Sequence, residues 1–144
     1  MNTGEEYLKD ELIEYINNKN LGGTVRLLGQ VNDMPGFYSN IDMFVLPSTQ
    51  PEPFGLVVIE AMNYGLPVVA TNHGGPVEII DEGIDGYLVD WMEASEMAAR
   101  IIELVENPDK RNAMGLKGQQ KKREKFSVNA MVLNVEKVFE ELLS

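Results

Sequence analysis

The chain has 144 residues, 44% apolar and 24% charged, with 12 Lys and Arg against 23 Asp and Glu for a formal net charge of −11. That length suits one domain burying roughly 70% of its unfolded surface, while the acidity excludes the clustered cations that nucleic-acid backbones and anionic membranes require. Zero cysteines and a single histidine, His73, exclude disulfides, a thiolate zinc site, a cysteine nucleophile and a multi-histidine metal centre.

The charge is uneven: residues 27–99 contain no Lys or Arg and eleven acids, so the middle of the chain carries the whole imbalance and the flanks nearly cancel. No 18-residue apolar run and no charged-then-apolar leader follows Met1, which leads us to expect a soluble, cytoplasmic protein.

Leu8, Leu12, Ile13 and Ile16 recur at helical spacing, so residues 5–18 are expected to form an amphipathic helix ending before Leu21-Gly22-Gly23. Thr24–Leu28 reads as a short strand closed by Gly29. Asp33 is placed to cap a helix over Pro35–Asn40, and Ile41–Leu46 is an apolar strand stopped by Pro47. Helix Gly55–Tyr64, strand Pro67–Thr71, helix Pro76–Asp81 and strand Gly86–Val89 repeat the alternation. Strand and helix in turn imply an α/β domain, a parallel sheet with helices on both faces. Phe44-Val45-Leu46 and Val68-Val69-Ala70 lack polar alternation, as doubly covered strands should.

From Glu93 the chain is helical. Met97, Ala98, Ile101, Ile102 and Val105 share one face; Pro108 opens a helix expected to be interrupted near Gly115 and Gly118; Val128–Leu142 forms the last one. Its stripe of Val128, Met131, Val135, Val138 and Leu142 is expected to pack on the domain's own sheet, with docking onto a partner or another domain as the alternative. Lys121-Lys122-Arg123 with Lys125 reads as a solvated helix face.

Ligands of open α/β sheets bind outside the carboxyl ends of the strands. Two loops qualify. In Pro47–Gly55, the amides of Phe54, Gly55 and Leu56 stand at a positive helix end suited to an anion or a row of hydroxyls. Glu52 precedes that helix and Glu60 lies about a turn and a half inside it, so two carboxylates flank what the helix end holds; carboxylates accept paired hydroxyls, which points to a sugar or a ribose. Each also has a plainer reading, Glu52 as a helix-dipole partner and Glu60 as a solvated helical residue. In Asn72–Pro76, Gly74-Gly75 permit tight backbone approach and His73 is a further candidate contact.

The ordered blocks Asp42–Ser48, Glu52–Met62, Gly65–Ala70, Gly74–Glu78 and Asp85–Val89 closely resemble the C-terminal, donor-binding half of the family-4 retaining glycosyltransferases, the glycosyl transferases group 1, of GT-B type. Gly29-Gln30-Val31 and Phe126-Ser127 match further landmarks. The resemblance implies two Rossmann-like domains across a cleft, of which residues 1–144 would be the nucleotide-sugar-binding one, truncated at its N-terminal end. Carried over by motif, Glu52 is the candidate catalytic residue and binds donor-sugar hydroxyls. The amides of Phe54, Gly55 and Leu56 reach the sugar and diphosphate, Glu60 holds the ribose, and backbone near Gln30 and Val31 meets the base; His73, Gly74 and Gly75 are additional candidates. The donor would be a UDP-, GDP- or ADP-sugar, the acceptor a sugar or lipid-linked molecule bound by the other domain, and no metal or other cofactor is required.

The family also carries an upstream Arg and Lys facing the diphosphate. Met1–Glu5 aligns where the family's second strand ends, so that loop has no counterpart here; Arg26 is the nearest cation and sits on the expected strand Thr24–Leu28. The expectation is therefore weak donor binding and no transfer by this chain alone, with self-association or strand exchange filling the gap between Thr24–Leu28 and Ile41–Leu46. The alternatives are a GT-B sugar-nucleotide epimerase or phosphorylase-like enzyme, and a non-catalytic nucleotide-binding or interaction module.

Overall fold

The computed structural model describes residues 4–143, with side chains from residue 8 onward. Met1–Thr3, part of the segment expected at a strand end, lie outside the described residues. The chain divides into two compact units, Met1–Met34 and Pro35–Ser144.

The first unit is built on helix α1 (Gly4–Asn18). Asn20 takes the left-handed conformation at φ 55°, and the amides of Leu21 and Asn20 return to the carbonyls of Ile16 (2.9 Å) and Asn17 (3.0 Å). This crossed pair ends the helix where the sequence led us to expect. Thr24–Leu28 is not a strand, contrary to expectation. The amides of Thr24 and Val25 both fold back to the Leu21 carbonyl at 2.8 Å, so the segment begins as a turn, and none of its residues joins a ladder.

The second unit comprises α2 (Met34–Ser39), β1 (Phe44–Leu46), α3 (Leu56–Asn63), β2 (Val68–Thr71), α4 (Pro76–Ile79), β3 (Gly86–Val89), α5 (Ala94–Glu106), α6 (Pro108–Lys125) and α7 (Val128–Leu143). The strands form a parallel sheet in the order β1-β2-β3, giving three strands where the sequence suggested four. Phe44, Val68 and Gly86 pair across it, as do Val45, Val69 and Tyr87. Side chains alternate between faces, and the second set, with Val89, packs against Met97, Ile101 and Leu104 of α5 and Met114 of α6. α3 covers β1 and β2 and buries Val58, Ala61 and Met62. All four residues of β2 are buried, which accounts for its unbroken apolar run.

α6 runs without the interruption expected at Gly115 and Gly118. Both glycines are buried, and a Cβ on Gly115 would lie 1.9 Å from the Gly65 carbonyl oxygen. They serve close packing of α6 rather than a break, Gly115 on the α3–β2 turn and Gly118 on Met62 of α3. Nor is Lys121 solvated: it is 8% exposed, and its Nζ lies 2.8 Å from both Asp81 Oδ2 and Asp85 Oδ2. The Asp85 carboxylate also accepts the Asp81 amide at 2.8 Å, so one ion cluster ties α6 to the turn before β3.

α7 departs most from expectation. Ser127 caps its start by accepting the Ala130 amide at 3.1 Å, but no residue of α7 is buried. Its stripe is 50–75% exposed. α3 already covers one face of the sheet, and α5 and α6 the other, leaving α7 no sheet surface to pack on. No helix among the described residues is long and apolar enough to cross a membrane.

Candidate functional site

The carboxyl ends of β1 and β2 release the two loops expected to carry the site. Thr71 Oγ1, at the end of β2, donates to the Ser48 carbonyl at 2.9 Å, fixing the start of the first loop. Further along, the Gly75 amide donates to the Glu52 carbonyl at 2.6 Å, and Glu52 and Gly74 form an isolated parallel bridge. Gly74 is left-handed at φ 74°, and a Cβ there would lie 2.3 Å from the Glu52 carbonyl oxygen; one on Gly75 would lie 2.4 Å from the Phe54 carbonyl carbon. The Gly-Gly pair therefore meets the other loop's backbone. Its effect is to hold Glu52 against the second loop.

Gly55 caps α3 in the left-handed conformation, φ 69° and ψ 33°, with no side-chain oxygen on the end. Its carbonyl accepts the amides of Val58 (2.9 Å) and Ile59 (3.3 Å). The amides preceding these belong to the turn that has no intrahelical acceptor, so the helix presents free donors and a partial positive charge to whatever lies in front. A Cβ on Gly55 would sit 3.0 Å from Ile79 Cδ1, which lets α3 start close against α4. Phe54 and Leu56 are largely exposed and border a cleft of about 400 Å³ with Pro53, Ile59, Gly75 and Glu78.

Of the two carboxylates, Glu52 is half-buried and Glu60 exposed. Glu60 is the fifth residue of α3, roughly 6 Å along the axis from Leu56 at the usual rise. It is not merely solvated: the Tyr38 hydroxyl donates to Glu60 Oε2 at 3.0 Å. Tyr38 is 2% exposed, stacked on Tyr64 with ring centroids 5.4 Å apart and tilted against Phe44 at 5.8 Å. Burial, and then the Glu60 carboxylate, push its phenol up to about 12.

The His73 ring stacks on Trp91 with centroids 6.4 Å apart, and its buried Nδ1 has no hydrogen-bond partner among the described residues. It thus stands beside the loop clasp with one unused polar atom. Gln30 and Val31 belong to the first unit, following Gly29 at φ 65°.

A larger groove of about 760 Å³ adjoins the cleft bordered by Phe54, sharing Leu56, Ile59 and Phe126 with it, and runs on between them and the α7 residues Met131, Val135 and Val138. Its apolar lining does not suit a diphosphate. Lys125, however, lies on its wall with Leu56, bringing a cation from outside the acid-only stretch towards the start of α3. Elsewhere the Lys121 ammonium, hydrogen-bonded to Asp81, holds that carboxyl below its ordinary range. No three His, Asp or Glu side chains among the described residues gather closely enough to share a metal ion.

Reasoning on the sequence missed Tyr38 and the loop clasp. Tyr38 precedes Glu60 by 22 residues, and no spacing rule links them. The one available signal was an aromatic residue in the short helix that precedes the βαβ unit carrying Glu60.

A family model described as "Glycosyl transferases group 1" matches residues 3–121. An uncharacterized glycosyltransferase of Methanocaldococcus jannaschii is 32% identical over 141 residues, 96% of this chain and 39% of that protein. HepE of Anabaena, solved in complex with UDP, superposes with a TM-score of 0.89 at 31% identity, over 97% of this chain and 38% of its own; HepE was also solved with UDP-glucose, with a TM-score of 0.86 at 31% identity over 96% and 38%. The C-terminal domain of the group 1 glycosyl transferase LpcC of Francisella tularensis gives 0.77 at 26% identity, over 88% of this chain and 66% of that one. The chain thus spans under two-fifths of the two longer proteins, and what it matches in LpcC is a C-terminal domain. The ordered motifs, the parallel sheet and these matches agree: the chain belongs to the glycosyl transferases group 1 family.

Proposed function

We propose that the start of α3 and its two loops hold the nucleotide-diphosphate sugar of a retaining glycosyltransferase that passes a hexosyl group to a sugar or lipid-linked acceptor. Glu52 accepts hydroxyls of the donor sugar, the amides of Phe54, Gly55 and Leu56 face the sugar and diphosphate, and Glu60 accepts the ribose hydroxyls. As the bond to the anomeric carbon breaks, negative charge grows on the leaving diphosphate, and preoriented amides at a helix end stabilise that charge without reorganising. No metal is required in this reading.

The observation that carries it is the uncapped α3 terminus with Glu52 clamped in front by the Gly75 amide at 2.6 Å. The HepE complexes with UDP and UDP-glucose favour a uridine donor. Because residues 27–99 offer no cation, Lys125 lines the apolar groove and not the cleft bordered by Phe54, Gly75 and Glu78, and exposed helix-end amides contribute only about 1 kcal/mol or less, the isolated chain binds donor weakly and transfers no sugar.

The test is a calorimetric and ligand-observed NMR panel of UDP-, GDP- and ADP-sugars, with Glu60→Ala as control. We expect a response to UDP-glucose that the substitution removes. A panel without response, or a Glu60→Ala chain that binds as before, would refute the assignment; sub-millimolar affinity or turnover by the isolated chain would refute the weak-binding claim.

A further inference from the structure

We propose that Tyr38 is a positioning residue for the nucleotide: its hydroxyl locks one oxygen of Glu60 so that the other is presented, in one orientation, to the ribose. The inference rests on the assignment of Glu60 to the ribose given above and adds the group that sets its geometry.

A free glutamate on a helix surface samples several rotamers, and a ligand that must itself freeze the side chain in one binds more weakly by that ordering cost. Here the 3.0 Å bond from Tyr38 Oη ends on Oε2, leaving Oε1 to accept hydroxyls. Tyr38 is itself held. It is 2% exposed, face-stacked on Tyr64 at an interplanar angle of 24°, and edge-on to Phe37 at 5.5 Å. A ring boxed in by three aromatics swings little, so the hydroxyl is a fixed point from α2 to which an exposed side chain on α3 is tethered. The pairing is also polar economy at one end only. The buried phenol finds its acceptor in Glu60, whereas Glu60, being exposed, could be solvated without Tyr38, so the bond does more for the direction of the carboxylate than for its desolvation. A buried hydroxyl that holds one oxygen of a carboxylate fixes the direction in which the other meets a ligand.

The test compares UDP with 2′,3′-dideoxy-UDP, which lacks both ribose hydroxyls, by amide chemical-shift titration of the full chain and of Tyr38→Phe, Glu60→Ala and the double variant. The wild-type chain should prefer UDP by at least tenfold, and Glu60→Ala should abolish that preference. Tyr38→Phe keeps the ring packing. It should cut the preference by about threefold to tenfold while leaving affinity for the dideoxy analogue within twofold, and should change nothing further when added to Glu60→Ala.

A purely structural Tyr38 would weaken both nucleotides alike or neither, and either result overturns the inference while leaving the Glu60 assignment standing. A wild-type chain that does not discriminate the two nucleotides overturns the ribose assignment and the inference with it. If Tyr38→Phe loses its fold by circular dichroism, Glu60→Gln supplies the second arm. It keeps an oxygen for the Tyr38 hydroxyl and turns an amide towards the ligand, so the UDP preference should fall as far as in Glu60→Ala; retention of the preference would show that the oxygen facing the ribose is not the one left free by Tyr38, overturning the inference.

Discussion

Replacing Gly74 with alanine tests whether the two site loops are clamped as described. The residue sits at φ 74°, and a Cβ would meet the Glu52 carbonyl oxygen at 2.3 Å and the Glu52 nitrogen at 2.7 Å, both backbone atoms that cannot rotate aside. Three contributions follow. The left-handed conformation costs an alanine about 1–2 kcal/mol; relieving the overlap requires the loops to part by about 1 Å, an overpacking strain of roughly 1–3 kcal/mol; and the 2.6 Å bond from the Gly75 amide to the Glu52 carbonyl is lost, about 1 kcal/mol. Gly83 is the internal control, since it has φ 71° but nothing within 4 Å of its Cβ position. Gly83→Ala therefore carries the conformational cost alone. Thermal and urea unfolding followed by circular dichroism should show Gly74→Ala less stable than Gly83→Ala by about 2–4 kcal/mol, or roughly 6–16 °C in melting temperature for a domain of this size. Equal destabilisation of the two would refute the clamp, because the only term that separates them is the contact with Glu52.

Three further outcomes follow from the packing and the ionisable groups. Gly115→Ala should gain up to about 1 kcal/mol of helix propensity, yet the Cβ would lie 1.9 Å from the Gly65 oxygen, so net destabilisation in urea is expected and stabilisation would contradict the close approach of α6. Lys121→Met should lower stability by about 3–5 kcal/mol, since Asp85, 2% exposed, is left buried without its partner; NMR titration should also show the Asp81 carboxyl, now held low by Lys121, return towards the ordinary range. Tyr38 should ionise near its raised value of about 12. A phenol whose folded pKa lies above its unfolded one stabilises the fold fully below pH 10, and loses that contribution, about 2–3 kcal/mol, as pH rises from 10 towards 12; phenolate absorbance of Tyr38→Phe should lack the late step.

What was legible in the sequence follows from how local each signal is. The strands at Phe44–Leu46, Val68–Thr71 and Gly86–Val89 announce themselves as short apolar runs bounded by Pro and Gly, and the α3 terminus by Phe54-Gly55 before an apolar helix. Thr24–Leu28 has the same local look, but a strand is completed by its neighbours, and turn bonds to Leu21 take its first amides instead. Gly115 and Gly118 weaken an isolated helix, whereas here tertiary contact with the α3–β2 turn and with Met62 of α3 fixes α6 through them. Lys121 sits in a basic run that reads as solvent-facing, and only the fold brings Asp81 and Asp85 to it. The stripe on α7 was visible as amphipathic, but an apolar face does not state what it meets, and the sheet had no uncovered side left. At the site, the residues proposed to touch ligand come from the motif alone. Tyr38 and the clasp between loops depend on residues about 20 positions apart and were not.

The central claim is that a nucleotide sugar binds at the start of α3, between Glu52 and Glu60. Backbone-resolved NMR titration of this chain with UDP-glucose tests it most directly, and weak affinity is no obstacle to that measurement. The account predicts amide shifts that concentrate at Phe54, Gly55 and Leu56, extend to the Gly74-Gly75 clasp, and vanish with Glu60→Ala. Shifts confined to the apolar groove between α3 and α7, or none at millimolar ligand, would contradict it.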